Sequence, residues 1–514
     1  MKKSIRVALT LLVALVAAGV VAHRHWHGKA AGSAQASSFH GRFIVPPGAT
    51  AFAFGRLHFT ACELPQTHSA ATTTAFCAPF EVPENWDAPE GRKIGLRLAL
   101  IASAEAADDD FLALLAGGPG QSAIDSWPQV AAAFAQLRKH RHVLLLDQRG
   151  TGGSNALTCK HDEAEDQGFD LGRIRAQTQA CLAAVSAHAD PRDYTTSMAL
   201  RDLEAVRQAL GAPQFDLVGV SYGTRVAQQY LHRYPDAVRS VVLDSAVPNE
   251  HAIGSEFARN LDDALKAHAA ACTATPACKQ AFGDPWAKLR ELRDELRAKP
   301  AEVAYRDPRD NTRTSMRLDA YSLATLARLY AYLPETSALL PLAVAQALKG
   351  DYAPLVAQVQ MLGGELEGLS DNAMQLSVIC SEDADLITPQ AGDADSLLGA
   401  ELAEAFKAQC TIWPHGARPD DFHAPVASDK PVLILSGELD PVTPPRYGEQ
   451  IVKTLPNGRL LVAKGQGHSV MGRGCFPKLV ARFVDALDPH GLDAGCIADF
   501  GPTPAFIDYN GAAP

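Results

Sequence analysis

The sequence predicts an α/β fold, a mostly parallel central sheet flanked by helices and carrying a large helical cap insertion. Three observations predict it. Short apolar, β-rich runs alternate with stretches of helical periodicity, the pattern of strands joined by crossover helices. Between about Asn249 and Pro425 those runs vanish and the composition turns rich in Ala, Leu and Glu, which reads as helices inserted over the sheet. One apolar run ends directly in Gly219-Val220-Ser221-Tyr222-Gly223, with a helix-like stretch after it.

In chain order, Lys93 to Ile101 and Phe111 to Leu115 are strand-like, and Val143 to Leu146 follows a helical stretch near Val130 to Leu137. A further helix is expected over Met198 to Leu210. There Ala199, Leu203, Val206 and Leu210 recur at helical spacing, Thr195, Thr196 and Ser197 are available as caps, and Gly211 is a stop. Phe215 to Val220, Val238 to Leu243, Pro431 to Leu435 and Arg459 to Val462 complete the strand series. The expected organisation is a first core segment at 39–248, the helical cap at 249–426, a second core segment at 427–496 and a tail at 497–514. At 514 residues the chain is long enough for one such interrupted core.

Composition narrows the function class. Lys+Arg number 47 against Asp+Glu 58, a formal net charge of −11, which leaves no basic field for nucleic acid or anionic lipid. With 47% hydrophobic and 20% charged residues the usage is that of a globular chain. A basic leader, Met1 to Arg6, precedes an apolar and small-residue run from Val7 to Ala22, somewhat short of the ~20 residues that span a bilayer. That reads as a signal peptide for periplasmic or secreted export, with Val20-Val21-Ala22 as the cleavage region; left uncleaved, the run would be a membrane anchor. His23, His25 and His27 lie in the Gly/Ala/Ser-rich linker at 23–38 and are read as linker rather than as a metal tract.

Export decides what the ten cysteines do. None forms a Cys-x-x-Cys pair, so zinc-ribbon and thioredoxin-like readings lose support and disulfides gain it. Their clustering suggests nearest-neighbour pairing: Cys62 with Cys77, Cys159 with Cys181, Cys272 with Cys278, Cys380 with Cys410, and Cys475 with Cys496.

The chemistry begins at Ser221. A strand, a sharp turn and a helix are the setting in which a strained elbow lifts a serine hydroxyl clear of a sheet. Such a serine needs a base, and the base needs an orienting carboxylate, arriving in the order Ser, acid, His. Asp440, in Ser436-Gly437-Glu438-Leu439-Asp440-Pro441 after the strand at Pro431 to Leu435, is the expected acid, with Asp244 as its competitor. His468, in Gly465-Gln466-Gly467-His468-Ser469 after the last strand, is the expected base; His423 and His490 follow no strand. Two N–H donors are needed for the oxyanion. Tyr222 supplies one, and Gly118 in Gly117-Gly118-Pro119-Gly120 the other, with Gly117 in reserve because Pro119 has no N–H.

Together with Gly117 to Ser122, Asp147-Gln148-Arg149-Gly150-Thr151-Gly152-Gly153-Ser154, the Ser221 pentapeptide and the late Asp440 and His468 loops, the chain resembles the proline iminopeptidase and tripeptidyl aminopeptidase branch of the α/β-hydrolases. Tyr194-Thr195-Thr196 with Asp202-Leu203 and Val206-Arg207, and Val82-Pro83, resemble the exported tripeptidyl aminopeptidase-like members. Ala116 stands where proline iminopeptidases carry a histidine, which favours the same side. The resemblance covers about Cys62 to Cys496 and implies a serine aminopeptidase that releases one or a few residues from peptide N-termini through an acyl-enzyme. It implies no metal and no organic cofactor. Such an enzyme must pair the substrate's ammonium with carboxylates; Glu382 and Asp383 are the first candidates, with Glu250 behind them, while Asp147 and Arg149 brace the loop beside the site. The alternatives are a secreted carboxylesterase, which would use the same residues on a small ester, and a catalytically silent binding member of the fold. The oligomeric state is left open.

Overall fold

The computed structural model describes residues 44–512 apart from 47, 66–71, 106–110, 160–168, 308–309 and 363–372. The signal segment and linker expected at 1–38 lie outside the described residues. Ten strands form one sheet, β1 (Ala51–Phe54), β2 (Leu57–Pro65), β3 (Thr72–Pro83), β4 (Lys93–Ile101), β5 (Phe111–Leu115), β6 (Val143–Leu146), β7 (Phe215–Val220), β8 (Val238–Asp244), β11 (Val432–Gly437) and β12 (Gly458–Ala463). Their order is β1-β2-β3-β4-β6-β5-β7-β8-β11-β12. From β6 to β12 neighbours run parallel, whereas β1 to β4 add an antiparallel edge that meets β6. β7 reads Phe-Asp-Leu-Val-Gly-Val and is buried along nearly its whole length, as a central strand covered on both faces must be.

The expected helix is present as Thr196–Leu210. Thr195 caps its N-terminus through its side chain and Gly211 ends it at φ 72°. The helix expected near Val130 to Leu137 instead lies earlier, at Ala123–Val130, and gives way to two 3₁₀ turns. Ser122 takes the N-cap and accepts from the Asp125 N–H, so the Gly117-Gly118-Pro119-Gly120 loop feeds straight into this helix.

The insertion is not helical throughout. β9 (Ala301–Arg306) and β10 (Arg313–Leu318) form a separate antiparallel hairpin within it. Its helices Phe257–Thr273, Pro285–Ala298, Ala320–Tyr332 and Leu340–Ala347 bury a core of their own, centred on Leu261, Leu292, Leu323 and Ala327. The later helices Ala373–Glu382 and Glu401–Cys410 pack instead into the main core with Tyr222 and Val226. Sequence position therefore assigns them to the insertion while packing assigns them to the sheet's flank. Beyond the last disulfide, the C-terminal segment lies back on the insertion: Ala505, Phe506 and Ile507 pack on Cys272, Phe282 and Leu342, and the Phe506 N–H donates to the Ala338 carbonyl at 2.9 Å.

All ten cysteines pair as nearest neighbours: Cys62–Cys77, Cys159–Cys181, Cys272–Cys278, Cys380–Cys410 and Cys475–Cys496. The Cys380–Cys410 bridge joins the two late helices across a sequence separation of 30, a closed loop for which chain entropy gives about 3 to 4 kcal/mol. No helix among the described residues is long and apolar enough to cross a membrane.

Candidate active site

Parallel strands deliver their C-terminal ends to one edge of the sheet, and the site is built there. Ser221 follows β7 and opens the helix Tyr222–Arg233 at φ 54°, ψ −122°. For a residue with a Cβ that conformation costs on the order of 1–3 kcal/mol. The glycines at 219 and 223 make the turn possible. A Cβ on Gly219 would overlap the Gly223 carbonyl, and one on Gly223 would overlap the Leu115 carbonyl at the end of β5. The Ser221 N–H is anchored on the Asp244 carbonyl at 2.9 Å, while its hydroxyl makes no hydrogen bond among the described residues. Tyr222 is the first residue of the helix, so its N–H has no acceptor within the helix. Gly118 lies at φ 107° and lines the same cleft as Ser221 and Tyr222.

Asp440 and His468 meet across the ends of β11 and β12. The imidazole Nδ1 donates to Asp440 Oδ2 at 2.8 Å, with Oδ1 at 3.0 Å. Asp440 also accepts from the N–H groups of Val442 and Thr443 and from the Thr443 hydroxyl, each at 2.8 Å. Burial alone would lift this carboxyl, but the His468 ring and these donors outweigh it and hold it below the ordinary carboxylate range. Burial likewise pulls His468 down, and Asp440 more than reverses it, so the imidazole titrates above its ordinary value. With Nδ1 committed, Nε2 is the nitrogen left to act as base. Thr443, which bonds Asp440, also lines the cleft of Ser221.

Asp244 does not meet the imidazole ring. It accepts from the Ser469 hydroxyl at 2.8 Å and from the Val470 and Met471 N–H groups at 2.9 and 3.0 Å, fixing the loop just after His468. The other side of that loop is held by the insertion. The His468 N–H donates to the Tyr332 carbonyl at 2.8 Å, and the Tyr332 ring stands edge-on to the imidazole at 5.1 Å.

Asp147 and Arg149 sit where bracing residues should. Asp147 accepts from the Ser122 hydroxyl at 2.6 Å and from the N–H groups of Ile124 and Gly153, tying its loop to the one carrying Gly118. Arg149 is fully buried, with a bidentate pair to Asp202 at 2.6 Å for each bond and further bonds to backbone carbonyls of Pro83, Glu84 and Asp193.

The acids expected to meet a substrate ammonium are a correction. None of Glu382, Asp383 and Glu250 lines the cleft at Ser221. Glu382 is 1% exposed and bonds Thr196 through both carboxylate oxygens. Asp383 is buried against the Arg225 guanidinium at 2.8 Å and the Ile253 N–H at 3.0 Å. Glu250 accepts from the Gln450 side chain. The carboxylate that does line the cleft is Glu256, beside His251, Phe257 and Tyr447. It accepts from the Tyr447 hydroxyl at 2.8 Å and faces Arg446 at 3.3 Å. Burial would lift its carboxyl, but Tyr447, His251 and Arg446 together keep it below the ordinary range, so it is charged at neutral pH. Sequence reasoning passed over Glu256; its one signal is its place just before the first helix of the insertion, where the chain leaves the sheet beside the elbow.

Comparison with known proteins places the fold. A family model described as the alpha/beta hydrolase fold matches residues 112–472. The serine protease Hip1 of Mycobacterium tuberculosis is 26% identical over 480 residues, covering 83% of this chain and 88% of that protein. Carboxylesterase B of the same organism is 29% identical over 464 residues, covering 81% and 85%. The tripeptidyl aminopeptidase of Streptomyces lividans is 30% identical over 190 residues, 33% of this chain and 35% of that protein. A serine elbow after a central parallel strand, an acid–imidazole pair at the ends of the last two strands and a family match over most of the length lead to one conclusion: the chain belongs to the alpha/beta hydrolase fold family and is a serine hydrolase.

Proposed function

We propose that the protein is an exported serine aminopeptidase that releases one or a few residues from peptide N-termini through an acyl-enzyme. Ser221 attacks the carbonyl, His468 Nε2 takes and returns the proton, Asp440 holds the imidazolium, and the N–H groups of Tyr222 and Gly118 receive the oxyanion. The observation that carries the peptidase reading is Glu256. A charged carboxylate in a cleft lined also by Ile253, Phe257, Val442, His251 and Tyr447 offers an arriving ammonium a partner, beside the Arg446 it already faces at 3.3 Å, that a neutral ester has no use for. The relatives named serine protease and tripeptidyl aminopeptidase support the same direction. Five disulfides support an oxidising compartment outside the cytosol, in keeping with the export signal.

The test is a matched pair of substrates. Aminoacyl-naphthylamides with a free amine are hydrolysed and their N-acetylated forms are not, and Glu256→Gln raises KM for the free amine by about tenfold while leaving p-nitrophenyl butyrate hydrolysis unchanged. Equal hydrolysis of both forms would point to the second reading, a secreted carboxylesterase, which the relative of that name and the apolar cleft wall favour. A mass-spectrometric digest of a peptide library then gives the number of residues released.

The pH profile follows from His468. The protonated imidazole cannot accept the Ser221 proton, and Asp440 holds the ring's titration above its ordinary value. Hydrolysis therefore falls as pH drops through a value above ~6.5, the unperturbed histidine pKa. A pH–rate curve at low substrate checks this, and an acid limb below pH 6 would contradict it.

A further inference from the structure

Glu382 and Asp383 form a buried acidic pair that the reaction as described does not use. Both stand at the end of the helix Ala373–Glu382, at 1% and 0% exposure. A carboxylate with no water must be repaid by close donors or a cation. Asp383 has the Arg225 guanidinium, whereas both Glu382 oxygens turn to one residue, Thr196. The Thr196 N–H donates to Oε1 at 2.6 Å and its hydroxyl to Oε2 at 2.9 Å.

That arrangement sets the direction of a longer chain. When Glu382 is ionised and accepts from the Thr196 hydroxyl, the Thr196 oxygen accepts from the Tyr222 hydroxyl at 2.7 Å, and the Tyr222 oxygen accepts from the Gln148 side chain at 3.1 Å. Every link is buried or nearly so, and the chain ends on the residue directly after Ser221. The charged and titratable groups around Glu382 are Arg225 from the helix that Tyr222 opens, Asp383 beside it, and Arg418 and His423, which donate to its main-chain carbonyl. Burial pushes the Glu382 carboxyl up to about 8, opposed by Arg225 and reinforced by Asp383. The Glu382–Thr196 link itself holds in either protonation state, since a carboxylic acid can donate to the Thr196 hydroxyl and still accept from the Thr196 N–H.

We propose that Glu382 is a positioning residue, which through Thr196 clamps the Tyr222 side chain and so fixes the N–H of Tyr222 where the oxyanion forms. The inference rests on Ser221 being the nucleophile. An oxyanion donor is effective only when held in place before charge develops, and removing one outright costs about 10²–10³ in kcat. Loosening one costs less and acts on kcat rather than on substrate binding.

The experiment measures p-nitrophenyl butyrate hydrolysis by the full chain, an ester that peptidase and esterase versions of the site both cleave. Glu382→Ala and Thr196→Val each lower kcat about tenfold with KM within about twofold, and Glu382→Gln and Thr196→Ser recover most of the loss because they restore a bonded chain. If kcat stays within about twofold in the Ala and Val variants, or if Gln and Ser recover nothing, the proposal is overturned. Should Glu382→Ala fail to fold, Thr196→Val against Thr196→Ser decides alone. Ser221→Ala runs beside them: full activity there would defeat the nucleophile assignment itself, a failure distinct from normal kcat in the Glu382 and Thr196 variants.

Discussion

Ser221→Ala is expected to abolish labelling by a fluorophosphonate probe and to cut ester and peptide hydrolysis by about 10⁶-fold, the scale on which a serine hydrolase loses kcat without its nucleophile. The fold should survive, because the hydroxyl removed has no hydrogen-bond partner among the described residues and leaves no buried group unpaired. Backbone strain sharpens the test. At φ 54°, ψ −122° alanine is as strained as serine, so Ser221→Ala gains no stability from relief of the turn. Ser221→Gly removes the Cβ and should unfold later in denaturant, by about 1 kcal/mol relative to the alanine variant, while being equally inactive. Two dead variants that differ in stability in this sense would show that the strain at the elbow serves the position of the hydroxyl. Probe labelling that persisted in either variant would remove Ser221 from its role.

What the sequence made legible depended on how local the signal is. The strands of the parallel half read clearly because burial on both faces turns each into a continuous apolar run, as in the Val-Leu-Leu-Leu of β6 and the Val-Leu-Ile-Leu opening β11. Of the antiparallel edge only β4 was read, as Lys93 to Ile101; β1, β2 and β3 were missed. β2 mixes His58, Thr60 and Glu63 among its apolar residues, exposed from Thr60 to Glu63 apart from half-buried Cys62, and β3 begins with three threonines and breaks its short apolar run with Pro79, so neither reads as a clear strand. The hairpin of β9 and β10 was missed for the same reason, since its second strand is Arg-Thr-Ser-Met-Arg-Leu with one buried residue. Ser221, Asp440 and His468 were legible because each sits just beyond a strand end with small residues around it. The carboxylate lining the cleft, Glu256, was not. Two neighbouring acids at the end of an apolar helix gave no indication that both turn inward, and Glu256 stands just before the first helix of the insertion with no motif around it.

The insertion has a dual attachment that the same reasoning explains. Its helix Ala320–Tyr332 ends against the His468 loop, and its late helix Ala373–Glu382 ends behind Tyr222. The His468 loop and Tyr222, the base and the oxyanion donor of the proposed reaction, are thus both steadied by residues remote in sequence from the motifs around them. A change that loosens the insertion is therefore expected to lower kcat before it lowers stability.

Asp440→Asn should lower kcat by about 10⁴-fold, while Asp244→Asn should cost stability and far less activity. The two acids end adjacent strands and are both buried, so only their partners distinguish them. In the variant, one amide oxygen can still accept from the Val442 and Thr443 N–H groups, which keeps the turn intact. The amide nitrogen then faces His468 Nδ1, which must become an acceptor. The ring proton moves to Nε2, the atom that has to receive the Ser221 proton, so the base is lost through its tautomer although the geometry is preserved. Removing the charge that raises His468 also moves the acid limb of the remaining activity downward in pH. Asp244 instead holds the Ser469 hydroxyl and the N–H groups of Val470 and Met471, so its amide leaves one or two of those donors poorly paired, at about 1–3 kcal/mol in a denaturant titration. Measuring kcat and the denaturation midpoint for both variants separates the roles, and the assignment of Asp440 fails if Asp244→Asn is the one that loses four orders of magnitude in kcat.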